Sequence, residues 1–140
     1  MTVTVLDTNV LSELMRRDPD AGVIEWLGAQ PESTVFTTAI TQAEILFGLA
    51  LLPSGKKRRA LQRAADAMFE DFEGRVLPFD GAAAAAFAEV AAVRRSSGSP
   101  ISNADAQIAA IVRVHGARLA TRNVDDFRGC GIDIVDPWTL

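Results

Sequence analysis

Val3-Thr4-Val5-Leu6 is a β-branched and apolar run, the pattern of a short buried strand, and it breaks at Asp7-Thr8-Asn9, residues that favour turns and helix caps. Leu11, Leu14 and Met15 resume at helical spacing, so Asp7 stands where the first strand hands over to the first helix. Arg16-Arg17-Asp18-Pro19 interrupts, and Val23, Ile24, Trp26 and Leu27 recur on roughly one helical face up to Gln30-Pro31. Thr34 to Thr38 reads as a second buried strand. Thr41-Gln42-Ala43-Glu44 then opens a helix whose stripe is Ile45, Leu49 and Leu52, widened by Leu46 and Phe47. After Pro53-Ser54-Gly55, Lys56 to Phe72 predicts a long charged helix with Leu61, Ala64, Ala65, Met68 and Phe72 inward, forming an exposed helical hairpin with its predecessor.

Val76 to Asp80 is a brief extended piece, and Ala82 to Val93 is alanine-rich but carries Phe87, Val90 and Val93, the mark of a closely packed helix. Ser102-Asn103-Ala104-Asp105 opens another helix with a cap-like spelling, and Asp105, Ile108, Ala109 and Val112 fall at i, i+3, i+4 and i+7. Arg118 to Thr121 and Ile132 to Val135 are the last strands, separated by the polar stretch Arg122 to Asp126 and a glycine turn. Strand followed by helix throughout predicts an α/β fold, with a central parallel β-sheet of four to five strands and helices on both faces.

The 140 residues, 49% of them hydrophobic, suffice for one domain with a buried core. Cys130 is the single cysteine, which excludes an internal disulfide and agrees with a reducing compartment. With no secretory leader pattern and no apolar run near the ~20 residues of a membrane span, a cytoplasmic protein without membrane contact is expected. The net charge of −4 argues against holding nucleic acid by bulk electrostatics. Lys56-Lys57-Arg58-Arg59 with Arg63 is the one basic run; its first reading is a solvated helix face, and its second a patch for phosphate contacts. Trp26 reads as a packing residue, and His115, before Gly116, as a residue at a helix C-terminus.

Candidate chemistry lies with the acids. Asp7, Glu44, Asp105 and the Asn123 to Asp126 cluster each follow a strand or open a helix, and in a parallel sheet those positions share one edge, where ligands bind. Each has a plainer reading: Asp7 as a helix cap, and Thr41-x-x-Glu44 as a capping box. Asp105 is less easily dismissed, because a carboxylate heading an apolar stripe needs a cation or several donors. Carboxylates about 4 Å apart repel by roughly 4 kcal/mol at an effective dielectric near 20, so several in one pocket imply a cation or unusual protonation. An all-oxygen set without histidine or cysteine suits Mg²⁺ or Mn²⁺.

Val5-Leu6-Asp7-Thr8-Asn9-Val10, Thr41-Gln42-Ala43-Glu44-Ile45, Ser102 to Ala110 and Leu119-Ala120-Thr121-Arg122-Asn123, in this order and spacing, resemble the PIN-domain family, and most closely the VapC-type and FitB-like ribonuclease toxins of bacterial toxin–antitoxin pairs. The resemblance spans residues 1–140 as a single PIN domain. It implies a Mg²⁺- or Mn²⁺-dependent endoribonuclease in which Asp7, Glu44 and Asp105 hold the metal and water activated there attacks an RNA phosphodiester. Thr8 and Thr121 would be supporting hydroxyls, and Arg122 would contact phosphate. The family often has aspartate where this chain has Asn123, so Asn123 and Asp126 share the candidacy for the fourth position. The likeness further implies a homodimer, a small antitoxin whose chain enters the acidic groove, and operator DNA bound only through the antitoxin.

Two other classes compete. An aspartyl phosphotransferase or receiver-like domain would want an aspartate at position 9 and a lysine after a later strand, whereas both lysines lie in the helical hairpin. A PIN fold that binds RNA or a protein without cleavage is favoured only by Asn123.

Overall fold

In the computed structural model, which describes residues 2–140, five short parallel strands share one sheet: β1 (Thr4–Leu6), β2 (Val35–Thr38), β3 (Val76–Leu77), β4 (Arg118–Ala120) and β5 (Asp133–Val135), in the order β3-β2-β1-β4-β5. Strand β1 is central, paired with β2 on one side and β4 on the other. The chain therefore reverses its direction of travel across the sheet at β1, which in open α/β sheets is where a ligand crevice forms.

Side-chain alternation in the buried strands builds two cores. Val5 and Leu119 point to one face, where they pack with Val90, Ile108, Ala109, Val112 and Phe127. Leu6 and Ala120 point to the other, against Val10, Leu11, Val23, Ile45, Leu49 and Ala65. Helices α5 (Gly81–Ser96) and α6 (Asn103–Val114) thus cover one face, and α1 (Thr8–Leu14), α2 (Ala21–Gly28), α3 (Ala39–Ala50) and α4 (Lys56–Asp71) supply the other. The alanine run of α5 lets α6 approach closely, and α5 with α6 is the most extensive helix pair. Side chains such as Ile108, Leu119 and Leu6, fully buried, each contribute roughly 1.5–3 kcal/mol of transfer free energy.

Three expectations need correction. Helix α3 starts at Ala39, with Thr38 as its cap accepting from the Thr41 amide at 3.1 Å, so no Thr41–Glu44 capping box forms and Glu44 lies in the second turn. The cap sits earlier because Thr38 ends β2 in extended conformation, the backbone geometry an N-cap requires. On α3 only the row Thr41, Ile45 and Leu49 is buried; Leu46 and Phe47 are exposed, Phe47 by 65%, because that side of the helix has nothing packed on it. For the same reason Ile24 on α2 and Val93 on α5 face outward. No described helix is long and apolar enough to cross a membrane.

Candidate active site

Asp7 follows β1 directly, and its amide extends the ladder to the Ala120 carbonyl at 3.0 Å. Its carboxylate is 4% exposed and held from several sides: Oδ1 accepts from the Thr8 amide at 2.8 Å, while Oδ2 accepts from Thr121 Oγ1 at 2.8 Å and Asn9 Nδ2 at 3.2 Å. Asp7 does cap α1, and the cap also fixes the carboxylate at the sheet edge. Thr121 Oγ1, beyond the end of β4, accepts in turn from Asn9 Nδ2 at 3.1 Å and the Asn123 amide at 3.0 Å. One buried hydroxyl thereby joins the ends of β1 and β4.

Glu44 reaches the same cleft from α3, where its Oε1 accepts from Thr8 Oγ1 at 2.8 Å. Thr8 therefore serves as a positioning hydroxyl for Glu44, as Thr121 does for Asp7. Asp105 stands in the first turn of α6, whose cap is Ser102, with the Asp105 amide donating to Ser102 Oγ at 3.2 Å. A cleft of about 490 Å³ is lined by Asp7, Glu44 and Asp105 together with Asn9, Arg122 and Asn123. Two apolar hollows adjoin it at Arg16: one of about 720 Å³ between α1, α2 and α4, with Leu14, Leu27, Met68 and Phe72 in its lining, and one of about 300 Å³ between α1, α3 and α4, with Ile45, Leu49 and Leu61. The acidic cleft is the candidate site because it gathers Asp7, Glu44 and Asp105, carboxyls that perturb one another.

Burial is the first cause that raises the Asp7 carboxyl from 3.8 to about 6, offset in part by the hydrogen bonds from Thr121 and Thr8, with the charges of Asp105 and Glu44 adding to the rise. Asp105 is also raised, first by desolvation and then by the charges of Asp126 and Glu44; its Ser102 hydrogen bond and Arg94 act in the opposite sense. Among the described residues, no three Asp, Glu, His or Cys side chains are placed to close on one ion together. The donor set nevertheless fits Mg²⁺ or Mn²⁺: it is oxygen-only, carries mutual repulsion that a cation relieves, and borders an open cleft. Mg²⁺ is usually held by one or two carboxylates, with water and substrate phosphate completing its shell, and does not need a closed protein cage.

Of the other expected residues, Asn123 lines the cleft through the loop fixed by Thr121. Asp126 does not line it; it borders an adjoining hollow with Asp125 and Asp136, yet its charge reaches Asp105. Arg122 lines both, and its guanidinium lies over the Trp138 ring, 5.0 Å from the centroid. The basic side chains of Lys56, Lys57, Arg59 and Arg63 are exposed on α4, away from the lining of this cleft.

Four residues at or behind the cleft were not singled out by the pattern of the chain. Asn9 links Asp7 and Thr121 and accepts from the Arg122 amide at 3.1 Å. Glu13, 5% exposed, accepts from the Asp20 amide and from Arg16, which borders the cleft and both apolar hollows beside it. Arg94, 8% exposed, donates to the carbonyls of Ser99, Asp126 and Arg128, tying the loop before α6 to the loop of Asp126. Trp138 completes the rim. Only Asn9 had a signal, its place in the Asp7-Thr8-Asn9 turn.

The profile of the PIN domain matches residues 4–130. The VapC ribonuclease Y4jK of Sinorhizobium fredii is 44% identical over 135 residues, 96% of each chain, and the toxin FitB of Neisseria gonorrhoeae is 38% identical over 135 residues, 96% of this chain and 97% of that one. In a solved structure of FitAB bound to an IR36 DNA fragment, one chain superposes with a TM-score of 0.91 at 37% identity, covering 99% of this chain and 97% of that one.

Proposed function

The chain belongs to the PIN-domain family, and on that premise we propose that it is the toxin of a toxin–antitoxin pair, a Mg²⁺- or Mn²⁺-dependent endoribonuclease that hydrolyses RNA phosphodiester bonds. The observation that carries this reading is the convergence of Asp7, Glu44 and Asp105 on one cleft, with Asp7 raised to about 6 by burial and by its acidic neighbours. Asp7, Glu44 and Asp105 would hold the cation, one or two of them directly and the rest through water, and it would neutralise substrate phosphate, lower the pKa of a water and stabilise the departing 3′ oxygen.

The chain's own residues supply the geometry. Thr121 and the Thr8 amide fix both oxygens of Asp7, Thr8 Oγ1 fixes Glu44, and the Ser102 cap fixes the helix turn that carries Asp105. Carboxylates held in advance need no reorganisation when substrate arrives. Arg122 is the cation on the rim for substrate phosphate, and Asn123 and Asp126 border the position where a fourth ligand would stand. In this mechanism a water oxygen bonds to phosphorus as the bond to the 3′ oxygen breaks, leaving a 5′ phosphate and a 3′ hydroxyl. The partners in this reading are a homodimer mate and a small antitoxin whose chain enters the acidic cleft and through which operator DNA is bound. Support for the antitoxin comes from the relatives' names and from the two apolar hollows that meet the cleft at Arg16.

The test is end-group analysis of RNA incubated with antitoxin-free protein. Fragments with 5′ phosphate and 3′ hydroxyl that form in Mg²⁺ or Mn²⁺ and not in EDTA support the reading. Fragments with 2′,3′-cyclic phosphate, formed equally in EDTA, contradict it. Asn123 favours one second reading, an RNA-binding PIN fold without cleavage, which predicts metal-independent RNA binding and no fragments.

A further inference from the structure

Arg122 and Trp138 stand together on the cleft rim, and the hydrolytic chemistry makes no use of them as a pair. Two arginines of the chain that lie over tryptophans differ in their surroundings. Arg118, over Trp26 at 5.8 Å, is also tied to Thr4 Oγ1 and Gln30 Oε1, so it is a packing element. Arg122 is exposed, and among the described residues its guanidinium makes no hydrogen bond and no ion pair, although Asp125, Asp126 and Asp136 border the same hollow. Asp125 pairs with Arg128 instead, at 2.8 Å. Trp138 is half-buried, packed against the core of the α1 to α4 face and held by a turn in which its amide donates to Asp136 Oδ1 at 2.9 Å. The Arg122 backbone is tied to Asp7 through Asn9, by bonds of 3.1 Å and 3.2 Å, so the subsite starts from a backbone position fixed beside the acids.

A guanidinium over an indole, uncommitted to nearby carboxylates and adjoining a phosphodiester site, matches a ligand that has both a π-face and a negative charge. From this we infer that Arg122 and Trp138 are a stacking subsite for one unpaired nucleobase next to the scissile phosphate. Bases in a duplex already stack on one another and cannot enter, whereas an unpaired base can lie on an arginine plane or an aromatic ring. The inference rests on the ribonuclease reading for its substrate, and its test separates the two.

The test measures anisotropy of a 5′-fluorescein single-stranded RNA 12-mer of mixed sequence, and of its duplex, in Mg²⁺ with Glu44→Gln protein to prevent cleavage. Arg122→Met and Trp138→Leu should each weaken single-strand binding roughly 10-fold, and the two together little more, because removing either half dismantles the stack. Trp138→Phe should keep most of the affinity, and duplex binding, which uses only the phosphate contact of Arg122, should fall far less than single-strand binding. Arg122 is exposed, so its variant reports even if Trp138→Leu unfolds. Unchanged single-strand affinity in the Arg122 variant, or a loss shared equally by duplex, overturns the subsite and leaves a plain phosphate contact. If the variants behave as expected while protein carrying Glu44 cuts no RNA in Mg²⁺ or Mn²⁺, the subsite stands and the nuclease reading fails. Metal-dependent cleavage with no effect of the variants on binding overturns the subsite alone.

Discussion

Replacing Asp7 by Asn in protein kept in EDTA should change stability in a way that depends strongly on pH. Asp7 is nearly inaccessible, and its carboxyl is raised from 3.8 to about 6, first by burial and then by Asp105 and Glu44. Between those two values the native state binds a proton that the unfolded chain has released, so this group's contribution is fully present below pH 3.8 and is lost as pH rises through 6. At about 1.4 kcal/mol per unit, the ionised carboxylate costs the native state about 3 kcal/mol at pH 7.5 relative to pH 3.5. Asparagine bears no such cost, but its amide would face Thr121 Oγ1, which already accepts from Asn9 and the Asn123 amide. That mismatch costs about 1–3 kcal/mol at every pH. The two effects separate cleanly, since only the first titrates. Urea denaturation of both proteins from pH 3.5 to 7.5 should show the variant gaining about 3 kcal/mol on the wild type across that range, with the change centred between pH 4 and 6. A stability difference that is flat with pH would refute the claim that Asp7 is held ionised against its surroundings.

Thr121→Val removes the donor to Asp7 Oδ2 and the acceptor of Asn9 and the Asn123 amide, so it should destabilise by about 2 kcal/mol at pH 7.5 and by less at pH 4, read by the same denaturation. Arg94→Met leaves the carbonyls of Ser99, Asp126 and Arg128 without their shared donor and should cost about 2–4 kcal/mol; Arg94→Lys, which lacks the planar fork, should recover less than half. Glu44→Gln retains an oxygen for Thr8 and should leave metal-free stability within about 0.5 kcal/mol, whereas the stabilisation by Mn²⁺, about 2.7 kcal/mol for wild type at a hundredfold excess over Kd and read by denaturation, should shrink markedly.

The parallel sheet and its flanking helices were legible because buried strands and amphipathic helices leave different periods, and the places of Asp7 after a strand and Asp105 at a helix start already put both at one edge. What escaped has a common cause. Asn9 meets Thr121 across 112 residues, and Arg94 meets the Asp126 and Arg128 carbonyls across 32 and 34, so no local window contains both partners. Arg94 sits beside Arg95 in the last turn of a helix, where a basic residue is ordinary, and only the tertiary fold buries it. Glu44 lines the cleft, and the capping box that made it ambiguous does not form; Thr38 takes the cap because β2 runs to that residue. Phe47 and Val93 were misjudged because hydrophobic spacing reports which faces are apolar and not which of them the sheet covers.

The most direct test of the central claim is cleavage of total bacterial RNA by antitoxin-free protein in Mn²⁺, beside Asp105→Ala. Asp105 is half-buried and raised in pKa, its helix is capped by Ser102 through the backbone amide, and alanine is a better helix former, so the variant should fold as well as the wild type. The account predicts discrete fragments from the wild type and at least a hundredfold slower cleavage, on the order of 3 kcal/mol of lost transition-state stabilisation, from the variant. Equal cleavage by a folded Asp105→Ala protein, or none by either, would contradict it.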